Sequence, residues 1–270
     1  MNRGESDKSI KVDSIQSTAD SDQQNMARFL LFEFMRTSGK KENGAPTLEQ
    51  NARHIPDEQL YFCVERHEPD IELINKIISN NPEALKTPRD RGWLPLHHAA
   101  MASSFKGVQL LLEMYPDAAK VPQEDGFLPL HMSVYFEETD IEVVELLLAA
   151  YPAAAKCKSK DGRTPLAVAL ENSALNPEVI RTLLRAYPEA TSVPTNTGKI
   201  PLHLCIINKH CTFKVFEMIL NEFQGGACIK DSAPRGRLAL HYAVIEAFSH
   251  LGKKNETVQI IETLIGWSIC

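Results

Sequence analysis

The chain has 270 residues, 43% of them hydrophobic and 24% charged, with a formal net charge of −6. That is enough apolar material for a sizeable core, and the acidic balance argues against the basic footprint of general nucleic-acid binding. No apolar run reaches the ~18 residues that a membrane-spanning helix needs.

Residues 1–25 are polar and rich in Ser, Asp and Gln, with no apolar segment behind Met1. They read as a disordered tail and not as a secretory signal. Residues 26–36 (MARFLLFEFMR) crowd Phe29, Leu30, Leu31, Phe32, Phe34 and Met35 together. The plainer reading is a short helix folded back as a cap on the start of the main domain; the sharper one is a helix that docks on a partner or a membrane surface. SGKKENGAPTLEQN then serves as a linker, completing a 26–53 segment.

From residue 54 the chain repeats itself. Gly92, Gly126, Gly162, Gly198 and Gly236 are spaced by 34, 36, 36 and 38 residues, and the segments LPLHHAA, LPLHMSV, TPLAVAL, IPLHLCI and LALHYAV come after them. A second marker keeps step: Asn81-Pro82, Tyr115-Pro116, Tyr151-Pro152 and Tyr187-Pro188, then Phe223, where the pattern lapses. A period of this size predicts stacked supersecondary units that share one continuous core, none able to bury its apolar face alone. The units fall at about 54–87, 88–121, 122–157, 158–193, 194–231 and 232–270.

Within a unit, Pro-Leu-His opens a short helix, because Pro at the first turn sacrifices no useful N–H and already has helical φ. Its inner face carries Leu96, Ala99 and Ala100 in one unit and Leu202, Cys205 and Ile206 in another. A second helix carries an apolar stripe, as in Val143, Val144, Leu147 and Leu148, or Val179, Ile180, Leu183 and Leu184. A Pro stop and a turn-rich stretch such as Lys158–Gly162 complete the unit. The first unit is degenerate, with Leu60, Cys63, Val64 and Leu73, Ile74, Ile77, Ile78 in the corresponding places. In the last, Ile260, Ile261, Leu264 and Ile265 fit the stripe once about seven residues are inserted near 249–255.

DGRTPLAVA (161–169) and DGFLPLHMS (125–133) closely match the Asp-Gly-x-Thr-Pro-Leu-His-x-Ala core of ankyrin repeats, which the chain resembles over roughly residues 54 to 270. The resemblance implies an all-α solenoid of about six helix-turn-helix units with projecting turns. Two departures stand out. Thr and His never occur together: Leu94, Leu128, Ile200 and Leu238 accompany His97, His131, His203 and His241, while Thr164 accompanies Ala167. A buried imidazole without its Thr is expected to bond the backbone of a neighbouring turn. The usual Gly-Ala after the second helix is replaced by Tyr-Pro-x-Ala-Ala. LIGWSIC at the end of the sequence supplies no polar capping helix, so a contact at this end with another subunit, or a chain truncated at Cys270, is expected.

Candidate chemistry is sparse. Cys63, Cys157, Cys205, Cys211, Cys228 and Cys270 follow no regular framework, as in a reduced intracellular protein, cytoplasmic or nuclear. His203, Cys205, His210 and Cys211 have the donor types of a zinc site, yet repeat register assigns Cys205 to a small core position and His203 to the motif, so a structural role is preferred. No P-loop, GxSxG or HExxH motif occurs. Neither catalytic residues nor a cofactor or metal ion are expected.

The resemblance implies that ligands meet the turn tips and the outer face of the first helices, including the positions where Asn172 and Asn208 fall. On those surfaces Trp93, Met101, Phe127, Tyr135 and Phe136 form an expected exposed aromatic patch, with Arg91, Arg163, Lys199 and Arg237 as cations for an acidic partner. The function expected is a non-catalytic protein-interaction scaffold or adaptor. The alternative is a regulatory ankyrin segment of a larger enzyme or channel.

Overall fold

A computed structural model describes residues 60, 61, 63, 64, 69–136, 139–233, 236–249 and 254–267. The expectations for residues 1–25 and 26–53 lie outside them. The helices run α1 (Ile71–Asn80), α2 (Pro95–Met101), α3 (Phe105–Met114), α4 (Pro129–Ser133), α5 (Ile141–Ala150), α6 (Pro165–Glu171), α7 (Pro177–Ala186), α8 (Pro201–Ile207), α9 (Phe213–Glu222), α10 (Ala239–Ser249) and α11 (Lys254–Trp267). Leu60, Tyr61, Cys63 and Val64 are helical and buried ahead of α1. Among the described residues there is no strand, only an isolated bridge between Arg89 and Trp93. This is the all-α repeat solenoid that the period predicts.

Proline sets where the short helices start, standing first in α2, α4, α6 and α8. The longer helices are capped by side chains: Asp70, Asp140, Asn176 and Thr212 accept from backbone N–H groups of the first turns of α1, α5, α7 and α9. Each of these longer helices and α3 ends on a residue whose φ lies near −145°, the extended backbone favoured before Pro: Asn81, Tyr115, Tyr151, Tyr187 and Phe223. The Pro that comes next does more than stop a helix. It opens a 3-10 helix, Pro82–Leu85, Pro116–Lys120, Pro152–Lys156 and Pro188–Ser192. Gln224–Cys228 makes the same 3-10 turn without Pro, because Gly226 and Ala227 supply the small buried residues that Ala118-Ala119 and Ala154-Ala155 supply elsewhere.

The apolar stripes stack these elements in two layers. The short helices pack in the order α2, α4, α6, α8, α10, and the long ones in the order α3, α5, α7, α9, α11. Leu111, Leu147, Leu183 and Ile219 recur at one position between the layers and are all essentially excluded from water. Burying each contributes about 1.5–3 kcal/mol. In the last pair, α11 packs on α9 and α10, which bury Ile260 and Leu264 but leave Ile265 about half exposed, so the expected stripe is narrower there.

The projecting turns are joined to each other by backbone. Arg91, Asp125, Asp161 and Thr197 each present a carbonyl to the N–H of Glu124, Lys160, Asn196 and Ser232 in the next unit, at 2.8, 2.8, 3.0 and 3.1 Å. Closure of each turn places its Gly at positive φ, 83° at Gly162 and 73° at Gly198. A β-carbon at Gly162 would also lie 2.8 Å from the Asn196 nitrogen, in the next turn. Both the dihedral and the space therefore require Gly. Gly162→Ala is expected to lower unfolding free energy by about 1–3 kcal/mol in urea titrations, whereas Gly225→Ala, in ordinary contact with one Phe223 ring, should change it by less than about 0.5 kcal/mol.

Candidate functional site

The motif histidines position the turn face from beneath. His97, His131, His203 and His241 each turn Nδ1 toward the N–H of the residue before their helix, Leu94, Leu128, Ile200 and Leu238, at 3.0 to 3.2 Å. In the third pair Thr164 Oγ1 takes this capping role, accepting from Ala167 N–H at 3.3 Å. Because Nδ1 accepts, the proton sits on Nε2. His97 Nε2 donates to the Phe127 carbonyl (3.2 Å) and His131 Nε2 to the Arg163 carbonyl (3.3 Å), each in the next unit. The expected bond to a neighbouring turn is present, and the same ring also caps its own helix. His203 differs: among the described residues its buried Nε2 has no hydrogen-bond partner, and the following turn, closed by Asp231 and Arg237, is two residues longer than its predecessors.

Buried polar side chains, invisible in the motif, shape the turns. Gln123, Ser159 and Asp231 accept from the N–H groups of Asp125, Arg163 and Arg237, respectively. Asp231 also accepts from the Tyr242 hydroxyl, and burial together with that carboxylate pushes the phenol up to about 12. Tyr61 supports the first tip. It is wholly buried, and its hydroxyl donates toward the carbonyls of Thr87 (2.6 Å) and Trp93 (3.0 Å). Its place in the degenerate first unit, where no motif marks it, hid this role.

The aromatic residues form two clusters. Trp93 lies 4.9 Å from the His98 ring, which in turn meets Tyr61 edge-on at 4.9 Å. Phe127, Tyr135 and Phe136 make a second series, with ring centroids 6.2 and 4.9 Å apart. Trp93, Met101, Tyr135 and Phe136 are half-buried against the core and present the remainder of their surface outward. Phe127 corrects the expected exposed patch: it is only 8% exposed. The Arg163 guanidinium lies over its ring at 5.1 Å, and His131 meets the ring edge-on. Arg163 is itself committed, paired with Asp161 and with Glu171 at 2.9 Å. It works as a lid on Phe127.

The other cations differ in setting. Arg91, at φ 62°, is exposed and 3.7 Å from Asp125 on the next tip, a screened pair contributing at most about 1 kcal/mol. Lys199 is half-buried. Arg237 is exposed, with its guanidinium 5.6 Å from the Tyr242 ring centre. Two further positions expected on the outer surface turn inward. Asn172 Nδ2 donates to the carbonyls of Val134 and Phe136, and Asn208 Nδ2 to those of Leu170 (2.7 Å) and Asn172 (2.6 Å), so each ties its loop to the preceding unit.

The zinc-like set resolves differently. Cys205 and Cys211 are joined as a disulfide across the loop between α8 and α9, a pairing that their irregular spacing did not suggest. Among the described residues, no three His, Cys, Asp or Glu side chains are grouped to hold a metal ion, and no helix is long and apolar enough to cross a membrane.

Paired helices, 3-10 connections and backbone-linked turns stacked unit on unit define a helical repeat solenoid. A family model described as ankyrin repeats (3 copies) matches residues 60–152 and 130–230. The chain belongs to the ankyrin-repeat family. Such repeats are generally modules of protein–protein interaction and typically non-catalytic. A search of the curated proteins returned no match.

The buried imidazoles make stability depend on pH. Burial lowers the pKa of His97 and His131 from 6.5 to about 4. The unfolded chain therefore takes up their protons first, so their contribution is complete above about pH 6.5 and is lost as pH falls toward 4. Each can cost on the order of 3 kcal/mol across that window. Urea midpoints should fall steadily from pH 7 to 4.5, and His131→Gln should reduce the slope by about one proton between pH 5 and 6.

Proposed function

We propose that the chain is a non-catalytic scaffold or adaptor that binds a protein partner across its turn tips and first-helix surfaces. Trp93, Met101, Tyr135 and Phe136 are the apolar anchors, and Arg91, Lys199 and Arg237 draw acidic residues of the partner. The observation that carries this reading is that these four large side chains are only half-buried, with Trp93 in ring contact with buried His97 and Tyr135 with buried Phe127. Aromatic side chains held in this way lose little conformational freedom on binding, which is the character of interface hot spots. Phe127 and Arg163 act as supports, Phe127 in ring contact with Tyr135 and Arg163 lying over the Phe127 ring. An intracellular setting, in cytoplasm or nucleus, belongs to the same reading.

The test is capture by the immobilised full chain, with retained proteins identified by mass spectrometry. Trp93→Ala with Tyr135→Ala, assayed at a temperature where circular dichroism shows the variant folded, should weaken a true partner by about 2 kcal/mol or more, roughly 30-fold. Phe127→Ala should instead lower stability by about 3 kcal/mol. Equal capture by the double variant and the unmodified chain would contradict the assignment.

A further inference from the structure

Cys205 and Cys211 hold chemistry that neither the core nor the interaction face uses. Cys205 is fully buried on α8, at the position that Ala99, Ser133, Ala169 and Ala243 occupy in other units. Cys211 is 8% exposed and directly precedes Thr212, the cap of α9; Ser103, Thr139 and Leu175 stand there in the preceding units. Packing therefore requires sulfur at neither site. Their Cα atoms are 5.7 Å apart, at the centre of the range that a disulfide bridges.

The loop so closed is also the one that reaches the neighbouring unit. Asn208 Nδ2 donates to the carbonyls of Leu170 and Asn172, while Asn208 Oδ1 accepts from His210 N–H (2.8 Å) and the Asn208 carbonyl accepts from Cys211 N–H (2.9 Å). A covalent link from α8 to Cys211 holds both ends of this network. With the link open, the loop is held by hydrogen bonds alone.

We propose that Cys205 and Cys211 are a reversible oxidation site, converted between dithiol and disulfide by a peroxide and a thiol reductant, whose closed form fastens the fifth unit's inter-helix loop to the fourth unit. Cys211, the less deeply buried of the two, reacts first. Its thiolate attacks one peroxide oxygen, the O–O bond breaks, and a sulfenic acid forms with release of hydroxide, which takes up a proton to become water. The Cys205 sulfur then attacks the Cys211 sulfur, the S–O bond breaks, and a second water leaves with the thiol proton. In sum, two thiols lose two electrons and two protons, and one peroxide becomes two waters. A dithiol reductant reverses the reaction by two exchange steps and is itself oxidised to a disulfide. Buried Cys205 is reached only from within the chain, which favours this pairing over intermolecular ones.

The test uses the full chain, reduced with dithiothreitol, treated with hydrogen peroxide, alkylated and digested for mass spectrometry. The expected result is a linked peptide pair joining Cys205 to Cys211, with two fewer alkylated thiols than the six of the reduced chain, restored by dithiothreitol. Cys205→Ala, matching the Ala of neighbouring units, and Cys211→Ser should each abolish that linked pair. Amide exchange at residues 208–212 should be about tenfold slower in the oxidised chain than in the reduced one. Full alkylation of both cysteines after peroxide, linkage chiefly to Cys157 or Cys228, or equal loop exchange in the two states would each overturn the proposal.

Discussion

A turn that closes only over a left-handed residue, and whose neighbour's backbone occupies the place of a β-carbon, is the constraint on which this solenoid depends. At Gly162 and Gly198 the next turn approaches so closely that side-chain identity, dihedral angle and inter-unit hydrogen bond are one requirement. The tip carbonyl of one unit meets the tip amide of the next at Arg91, Asp125, Asp161 and Thr197. That link sets the spacing at which the helix pairs behind the tips must pack. Small residues such as Ala99 and Ala169 in the short helices, and Ala118 and Ala154 in the 3-10 turns, then fit the fixed spacing.

Polar groups inside the stack bridge units repeatedly. His97 and His131 cap their own helices with one nitrogen and hold the following turn with the other. Asn172 and Asn208 reach backward to the carbonyls at the end of the preceding short helix. A unit removed from its neighbours would leave buried donors and acceptors unpaired, at about 1–3 kcal/mol for each. Cooperativity thus rests on directed bonds as well as on apolar area. His203 differs beside a changed turn: its ring keeps the capping bond, while next to the longer Asp231–Arg237 connection its Nε2 has no hydrogen-bond partner among the described residues.

Much of this was legible in the sequence because it depends on local chemistry repeated in register. Gly, Pro-Leu-His and the apolar stripes located helices, turns and layers, since each reflects a dihedral or a face that its own residue type dictates. What stayed hidden depends on residues far apart in the chain. Phe127 lies at a position that should face outward, but Arg163, 36 residues on, folds across it between Asp161 and Glu171. Asn172 and Asn208 look like surface residues until the carbonyls of the preceding unit are in place. The Cys205–Cys211 link obeys no spacing rule, because the fold and not the interval brings the two together. Phe223 shows the converse: the Tyr-Pro marker lapses, yet the same extended residue and 3-10 turn form, because Gly226 fits beneath Ile200 and Leu202.

These features join stability to the proposed interaction face. The tip ladder fixes the platform, the histidines and Tyr61 hold it from beneath, and half-exposed Trp93 and Tyr135 stand on supports that are themselves buried. The most direct test is native-state hydrogen exchange at the amides of Glu124, Lys160, Asn196 and Ser232, which donate across successive units. The account predicts that these four, despite lying at projecting tips, exchange only through openings that break the contact between neighbouring units, and that denaturant accelerates them accordingly. Exchange at the rate of a free peptide, independent of denaturant, would show that the tips are not bonded to one another and would contradict it.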